Sequence, residues 1–396
     1  MRIMAVSHPC VTDVNQQFYA ELEALGHEVQ LVVPANFRTE YSQGPVKVVR
    51  WPAFGGHIDE RRVGLPASIP LHFYTSNLRP ALEKLQPDVL FVEEEPYAVS
   101  AWQAFYASRH LPVKRVIYSA QNIVKRYPYP FRSMEQYVLS KADMAAVVSD
   151  QVGAVMRQKG FAGQLLGFPL GVDTKQFRPL PEERVRLRTS LGIPSACFVA
   201  GFVGRLVEEK GVSTLLEALP RLEQQQVKLL LVGSGPMLEA VRQAAVRHPG
   251  TVYIADHVKH NEVQLWMNAM DALVLPSLTM PNWKEQFGRV IVEAMACGIP
   301  VIGSDSGEIP VLIRHTGGGW LFPEGQAEAL AAIIRGIRSN EADRRAKAEC
   351  GYAKVQAEFS KRALARSFEM QLYRLIAQTR PDQAGAGTYR SGEVQG

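Results

Sequence analysis

The chain has 396 residues, 46% of them hydrophobic and 21% charged, with a formal net charge of +5. That length exceeds one ordinary core and suits two domains of usual size. The charge is too mild to imply a nucleic-acid partner. Cys10, Cys197, Cys297 and Cys350 form no CxxC pair and no dense framework, so they read as reduced thiols of a cytosolic chain rather than a disulfide scaffold or a zinc site. The opening MRIMAVSHPC is too poor in apolar residues for a signal-peptide core, and no run nears the roughly 18–20 apolar residues of a membrane span. The expectation is a cytoplasmic protein, soluble or peripheral.

Short apolar strands alternate with helical segments from the start: IMAVS, a helix near Gln16 to Leu25, EVQLVVP, then VKVVRW as a further strand. A polar-aromatic connection leads to a helix around Leu78 to Leu85, the strand DVLFVE, a helix across Val99 to Ser108, and strands in VKRVIYS, MAAVVS and QLLGFP. Such alternation builds a parallel sheet covered on both faces, so residues 1–170 read as a Rossmann-like domain. PLGVDTKQFRPLPEERVRLRTSLGIP breaks the pattern with prolines and charges, making 171–196 a linker with a short helix. The alternation restarts through ACFVAGFVG, LLLVG, VYIA, ALVLP and IPVIG and runs into helices at 324–337 and 342–358, a second Rossmann-like domain over 197–358. Open sheets bind ligands at their strand ends, so two such domains predict a cleft between them. A helix follows over 359–379, and the Gly-rich polar tail 380–396 reads as disordered.

The chemistry concentrates in 285–309, EQFGRVIVEAMACGIPVIGSDSGEI. Phe287 and Gly288 close a loop, Arg289 to Cys297 has helical spacing, and Gly298 and Pro300 stop that helix. A helix start behind a loop glycine offers unpaired N–H groups and a positive dipole end to an anion such as phosphate. A carboxylate before such a helix, Glu285, and another two turns in, Glu293, would take sugar or ribose hydroxyls on either side of that phosphate. On spacing alone, a solvated loop glutamate and an ordinary helix glutamate explain the pair equally well.

The context resembles the family 4 glycosyltransferases of the GT-B fold, whose signature is a pair of glutamates separated by seven residues, here Glu285 and Glu293. The resemblance extends through GFVGRLVEEKGVSTLLEAL, LLLVGSGP and DALVLPS to the C-terminal helix. It implies an α/β GT-B architecture of two facing Rossmann-like domains, an acceptor domain and a donor domain, with the 359–379 helix crossing back onto the first. It also implies retaining transfer of a hexose-type unit from a UDP- or GDP-sugar to a hydroxyl acceptor, a glycan or lipid-linked saccharide or a small molecule, in cell-surface polysaccharide assembly. Arg205 and Lys210, after the strand that ends at Gly204, take the role of neutralising the diphosphate and assisting leaving-group departure. Glu285 would position the donor with the N–H groups of Phe287 and Gly288, Arg289 and Val290 would border it, and Glu293 would hold the ribose. Gly233 lies near the nucleoside, and backbone around Val258 grips the base, so side chains there do not separate UDP from GDP. No Asp-X-Asp triplet and no histidine ligand spacing occurs, so no metal and no cofactor is expected beside the nucleotide-sugar substrate. Another GT-B activity, epimerase or phosphorylase, and a non-catalytic nucleotide-sugar-binding subunit remain the alternatives.

The acceptor side is less determined. Glu93 to Glu95 end a strand and either contact acceptor hydroxyls, Glu95 foremost, or solvate the strand terminus. Gln121 and Asn122 stand where many family members carry a histidine, which puts a histidine-assisted role in doubt. The loop after the first strand lacks the family's glycines, so Asp13 or Asn15 would face the cleft, unless Asp13 caps the first helix. From Pro96 to Met134 there is no acid, while Arg109, Lys114, Arg115, Lys125, Arg126 and Arg132 alternate with aromatics. Two readings stand: contact with an anionic membrane at the inner face of the cell, or buried aromatics with dispersed loop charges.

Overall fold

The computed structural model describes residues 1–38, 44–222 and 226–378. Fifteen strands occur among them, and the first nine are β1 (Arg2–Val6), β2 (Glu28–Pro34), β3 (His57–Arg61), β4 (Val63–Gly64), β5 (Phe73–Tyr74), β6 (Val89–Val92), β7 (Lys114–Ser119), β8 (Met144–Val147) and β9 (Gln164–Gly167). Seven of these make one parallel sheet in the order β3-β2-β1-β6-β7-β8-β9, and β4 pairs with β5 as a small antiparallel hairpin. The remaining six are β10 (Phe198–Val203), β11 (Val227–Val232), β12 (Val252–Ala255), β13 (Ala272–Leu275), β14 (Val301–Ser304) and β15 (Gly319–Phe322), paired in the parallel order β12-β11-β10-β13-β14-β15. Central strands such as VLFV and ALVL are fully buried runs, as expected of sheets covered by helices on both faces.

One predicted strand is not formed. VKVVRW, residues 46–51, carries no ladder; Val46 N donates to Phe37 O, Val49 N to Val11 O, and Trp51 N to the Gln16 side chain. The sheet edge is taken instead by His57–Arg61, a charged segment that pairs with β2 from Gln30↔His57 to Pro34↔Arg61. An edge strand is partly solvated, so charge is tolerated there and apolar content is a poor guide. The predicted tail 380–396 lies outside the described residues.

The chain passes between the two sheets twice, and the two crossings are bonded together. Val172 N donates to Phe359 O at 2.9 Å, and Lys361 N donates to Val172 O at 3.2 Å. From there the helix Lys361–Ala377, capped by the Ser360 side chain on Ala363 N, returns to the first sheet. Its Leu364, Phe368, Leu372 and Leu375 join Phe18, Leu22 and Phe91 in that core. The C-terminal ends of both parallel sheets therefore face each other, with direct contacts across the gap. Lys284 Nζ donates to Gln151 Oε1 at 2.8 Å, and Gln151 Nε2 to Gly307 O at 3.1 Å.

Candidate functional site

In the second sheet, β10 and β11 end side by side at Gly204 and Gly233. Gly233 has φ +146°, and a Cβ there would stand 1.9 Å from the Gly204 carbonyl oxygen, so the two strand ends meet this closely only without a side chain. Arg205 follows at once and is exposed. A 3-10 turn over Glu208–Lys210 then delivers Lys210 to the cleft.

Lys210 Nζ lies 2.6 Å from Glu285 Oε2 and 5.0 Å from the centroid of the Trp283 ring. Glu285 is only 7% exposed, and its Oε2 also accepts from Ser277 Oγ at 3.1 Å. Its carbonyl accepts from Glu308 N and, across the cleft, from Asn122 Nδ2, each at 3.1 Å. Gly307 closes over it: at φ +54°, a Cβ would come within 2.2 Å of the same carbonyl oxygen. Two motifs separated by most of a domain thus become one ion pair with a fixed backbone. The ammonium and the hydroxyl that face this buried carboxylate offset the cost of taking it out of water.

Beyond Glu285, the buried Phe287 packs its ring 6.2 Å from Phe359, and Gly288, at φ +81°, is the N-cap of the helix Arg289–Ala296. That helix begins with the exposed Arg289 and the half-buried Val290, and Ile291 N donates back to Gly288 O at 2.8 Å. Glu293 is 7% exposed, and burial pushes its carboxyl up to about 7 against the opposing pull of Arg289 and Lys361. The half-buried Val258 follows β12 one residue after His257, whose N–H donates to Ser234 Oγ at 3.2 Å and whose φ is +52°. Arg289, Glu293 and Asn15 line one small cavity between the sheets, together with Gln17, Asp173, His260 and Lys361.

The residues expected on the acceptor side reach the cleft differently. Glu95 accepts from Ser119 Oγ and Ala120 N at 2.8 Å each, and burial raises its carboxyl. Gln121 donates to Tyr127 OH at 2.5 Å and accepts from the Lys159 ammonium, which also bonds Glu135 at 2.6 Å. Tyr127 in turn stacks on Tyr97 with centroids 4.3 Å apart. Glu95, Gln121 and Asn122 line a cavity of about 110 Å³ whose far wall is Asn282, Trp283 and Lys284. Asp13 lines neither cavity; its carboxylate accepts from Val14 N at 2.7 Å, at the start of a 3-10 turn.

None of the three acids in FVEEEP is simply solvated. Glu93 accepts from Ser7 Oγ at 2.7 Å and Tyr19 OH at 2.8 Å, and Glu94 takes His8 N at 2.8 Å and His8 Nδ1 at 2.6 Å. They tie the ends of β1 and β6 together. The basic-aromatic stretch divides: Phe105 is fully buried, Arg109 lies 3.9 Å from the Tyr106 ring centroid, and the loop with Val124, Lys125, Arg126 and Tyr129 is exposed, Tyr129 to 85%, as is Arg132 at the start of the next helix. Sequence reasoning missed Trp283, Lys159 and Lys361, because nothing in their neighbours marks the direction in which they point.

Two family descriptions match this chain, "Glycosyl transferase 4-like domain" over residues 11–171 and "Glycosyl transferases group 1" over residues 183–354. The chain belongs to the family 4, group 1 glycosyltransferases. Among relatives of this group 1 chain, the amylovoran biosynthesis glycosyltransferase AmsK of Erwinia amylovora is 32% identical over 212 residues, 52% of this chain and 50% of that protein. The GDP-mannose-dependent monoacylated alpha-(1-6)-phosphatidylinositol monomannoside mannosyltransferase of Corynebacterium glutamicum is 31% identical over 198 residues, 48% and 51% of the two chains. The chain thus spans about half the length of these curated relatives. Anabaena Alr3699/HepE, solved in complex with UDP, superposes with a TM-score of 0.69 at 20% identity, over 94% of this chain and 100% of that one. At that identity the likeness is one of fold, and the fold of this group 1 glycosyltransferase is GT-B.

Proposed function

We propose that the protein moves a hexose-type sugar from a UDP- or GDP-sugar to a hydroxyl acceptor, with retention and without a metal ion. The observation that carries this is the Lys210–Glu285 pair, 2.6 Å apart at the mouth of the helix that holds the buried Glu293. The diphosphate would sit between the first N–H groups of that helix and the cations Arg205 and Lys210, which stabilise charge as the leaving group departs. Glu285, already fixed by Ser277 and Lys210, would hold the donor sugar in place, and Glu293 would accept from ribose hydroxyls. Substrate hydroxyls require acceptors held at a set position, which Ser277 and Lys210 give Glu285. In a front-face displacement no side chain need become a covalent nucleophile.

The acceptor would enter the cavity between Glu95, Gln121 and Asn122 on one side and Trp283 on the other. A glycan or lipid-linked saccharide in polysaccharide or glycolipid synthesis fits this reading, in line with the named activities of both relatives. Among the described residues no helix is long and apolar enough to cross a membrane, and the exposed basic loop with Tyr129 supports contact with the anionic inner face of the cytoplasmic membrane. Calorimetry with UDP and GDP in EDTA tests the donor site. Binding of one nucleotide that Glu293→Ala abolishes sustains the reading; no binding of either by folded protein overturns it. Flotation with vesicles containing anionic lipid at low salt tests the membrane contact, and a protein left at the bottom removes it.

A further inference from the structure

The helix that crosses back to the first domain begins with Lys361, and its side chain enters the donor cleft rather than solvent. Lys361 lines the cavity between the sheets with Glu293 and Arg289 from the donor domain and Asn15 and Gln17 from the first domain. Neither Lys361 nor Arg289 has a side-chain hydrogen bond or ion pair with any described residue. Asp173, the nearest fixed acid on the crossing segment, is already occupied: it accepts from Gln17 Nε2 at 2.7 Å and from the backbone N–H of Lys175 and Gln176. Gln17 is 5% exposed, and its Oε1 has no partner. Burial pulls the Lys361 ammonium down to about 8, with Arg289 adding to that pull and Glu93, Cys10 and Asp173 opposing it. The cavity therefore sets two cations that lack a hydrogen-bonded partner, Lys361 and Arg289, beside the carboxylate assigned to the ribose and Asp173, and Gln17 Oε1 is an unsatisfied acceptor. An anionic group entering beside Glu293 would meet both cations.

We propose that Lys361 is a donor-binding residue: with Arg289 it contacts the anionic part of the nucleoside diphosphate, completing from the crossover helix a site otherwise built in the second domain. This rests on the donor reading above and adds a residue outside its motifs. Lys361 is bonded through its backbone to Val172, in the other crossing of the chain between the two sheets. A nucleotide held by Lys361 would thus touch both the donor domain and the segment about which the domains turn.

The test is calorimetric titration of the full chain with UDP and GDP, using wild type, Lys361→Met and Lys361→Arg, with urea unfolding of each. For the nucleotide that wild type binds, Lys361→Met should weaken binding about tenfold, the share of a charge-assisted contact, and Lys361→Arg should restore most of it. Restoration by arginine separates a contact from a packing role, which would lower unfolding midpoints without following charge. The proposal is overturned if Lys361→Met binds as wild type does, or if arginine fails to restore binding. Should Glu293→Ala lose the nucleotide while Lys361→Met keeps it, only the role of Lys361 falls. Should wild type bind neither nucleotide, the donor reading fails and this inference with it.

Discussion

The two walls of the cleft are built on different plans. On the donor side, backbone does most of the work: Gly233 lets two strand ends touch, Gly307 seals the Glu285 loop, Gly288 starts a helix, and one ion pair spans the result. On the acceptor side, side chains from separate loops and helix ends, with Glu135 from a helix, hold one another in a chain running Glu135, Lys159, Gln121, Tyr127 and Tyr97. A site made of backbone turns tolerates little variation, because a Cβ meets a carbonyl. One made of interlocked side chains can be rebuilt by exchanging partners. If the function proposed above holds, donor recognition would thereby be fixed while acceptor recognition would be open to change.

The largest expected effect tests whether the donor wall is electrostatic. Lys210→Met removes the cation and strands Glu285, and should lower kcat/KM about 10²–10³-fold with little change in fold, measured by transfer or donor hydrolysis. A loss under tenfold would return the work to the backbone. Next comes Glu293. Its carboxyl titrates near 7 in the folded protein, above the unfolded value, so the folded state binds more protons between roughly pH 4.5 and 7 and stability falls as pH rises through that window. Glu293→Gln should flatten that slope by up to roughly 3 kcal/mol in denaturation measured across the window. An unchanged profile would mean Glu293 is not the buried acid it is taken for.

Smaller is Gly233→Ala, which should cost about 2–3 kcal/mol in urea unfolding because alanine at that φ meets the Gly204 carbonyl. Tolerance of alanine would show that the two strand ends separate readily. The smallest effect lies across the gap: Asn122→Ala removes the bond to the Glu285 carbonyl and should cost about 1 kcal/mol. Its transfer kinetics sharpen the contrast, since a changed acceptor KM with unchanged donor KM would place Asn122 on the acceptor wall alone.

The same division governs how much was legible in the sequence. Alternating apolar runs gave both sheets, since buried parallel strands must be apolar, and the turn glycines beside Glu285 and Lys210 flagged the donor elements within short windows. The edge strand His57–Arg61 was not legible, because its solvated edge removes the need for apolar residues, and neither was the failure of VKVVRW to pair, which depends on Gln16 bonding Val49 and Trp51. Lys159 bonds Gln121 from 38 residues away, and Lys210 meets Glu285 from 75. Such distances leave no local trace; Lys210 and Glu285 are each marked by a family motif, but their pairing is visible only in the structure. Lys361 follows a helix cap, where a lysine is unremarkable until the two crossings are seen bonded side by side.

The helix Lys361–Ala377 has a consequence for how the protein is made. Its leucines and Phe368 finish an interior that begins with Ile3 and Phe18, whereas the core around the second sheet draws on a stretch that starts near Phe177 and Ile193 and ends by Phe359. During synthesis the earlier domain must therefore wait, with one face of its sheet covered only in part by Phe18, Tyr19 and Leu22, until the later one is complete. A ribosome that stalls near residue 359 would release a sound second domain attached to an unfinished first, and that open face is what a chaperone or protease would meet.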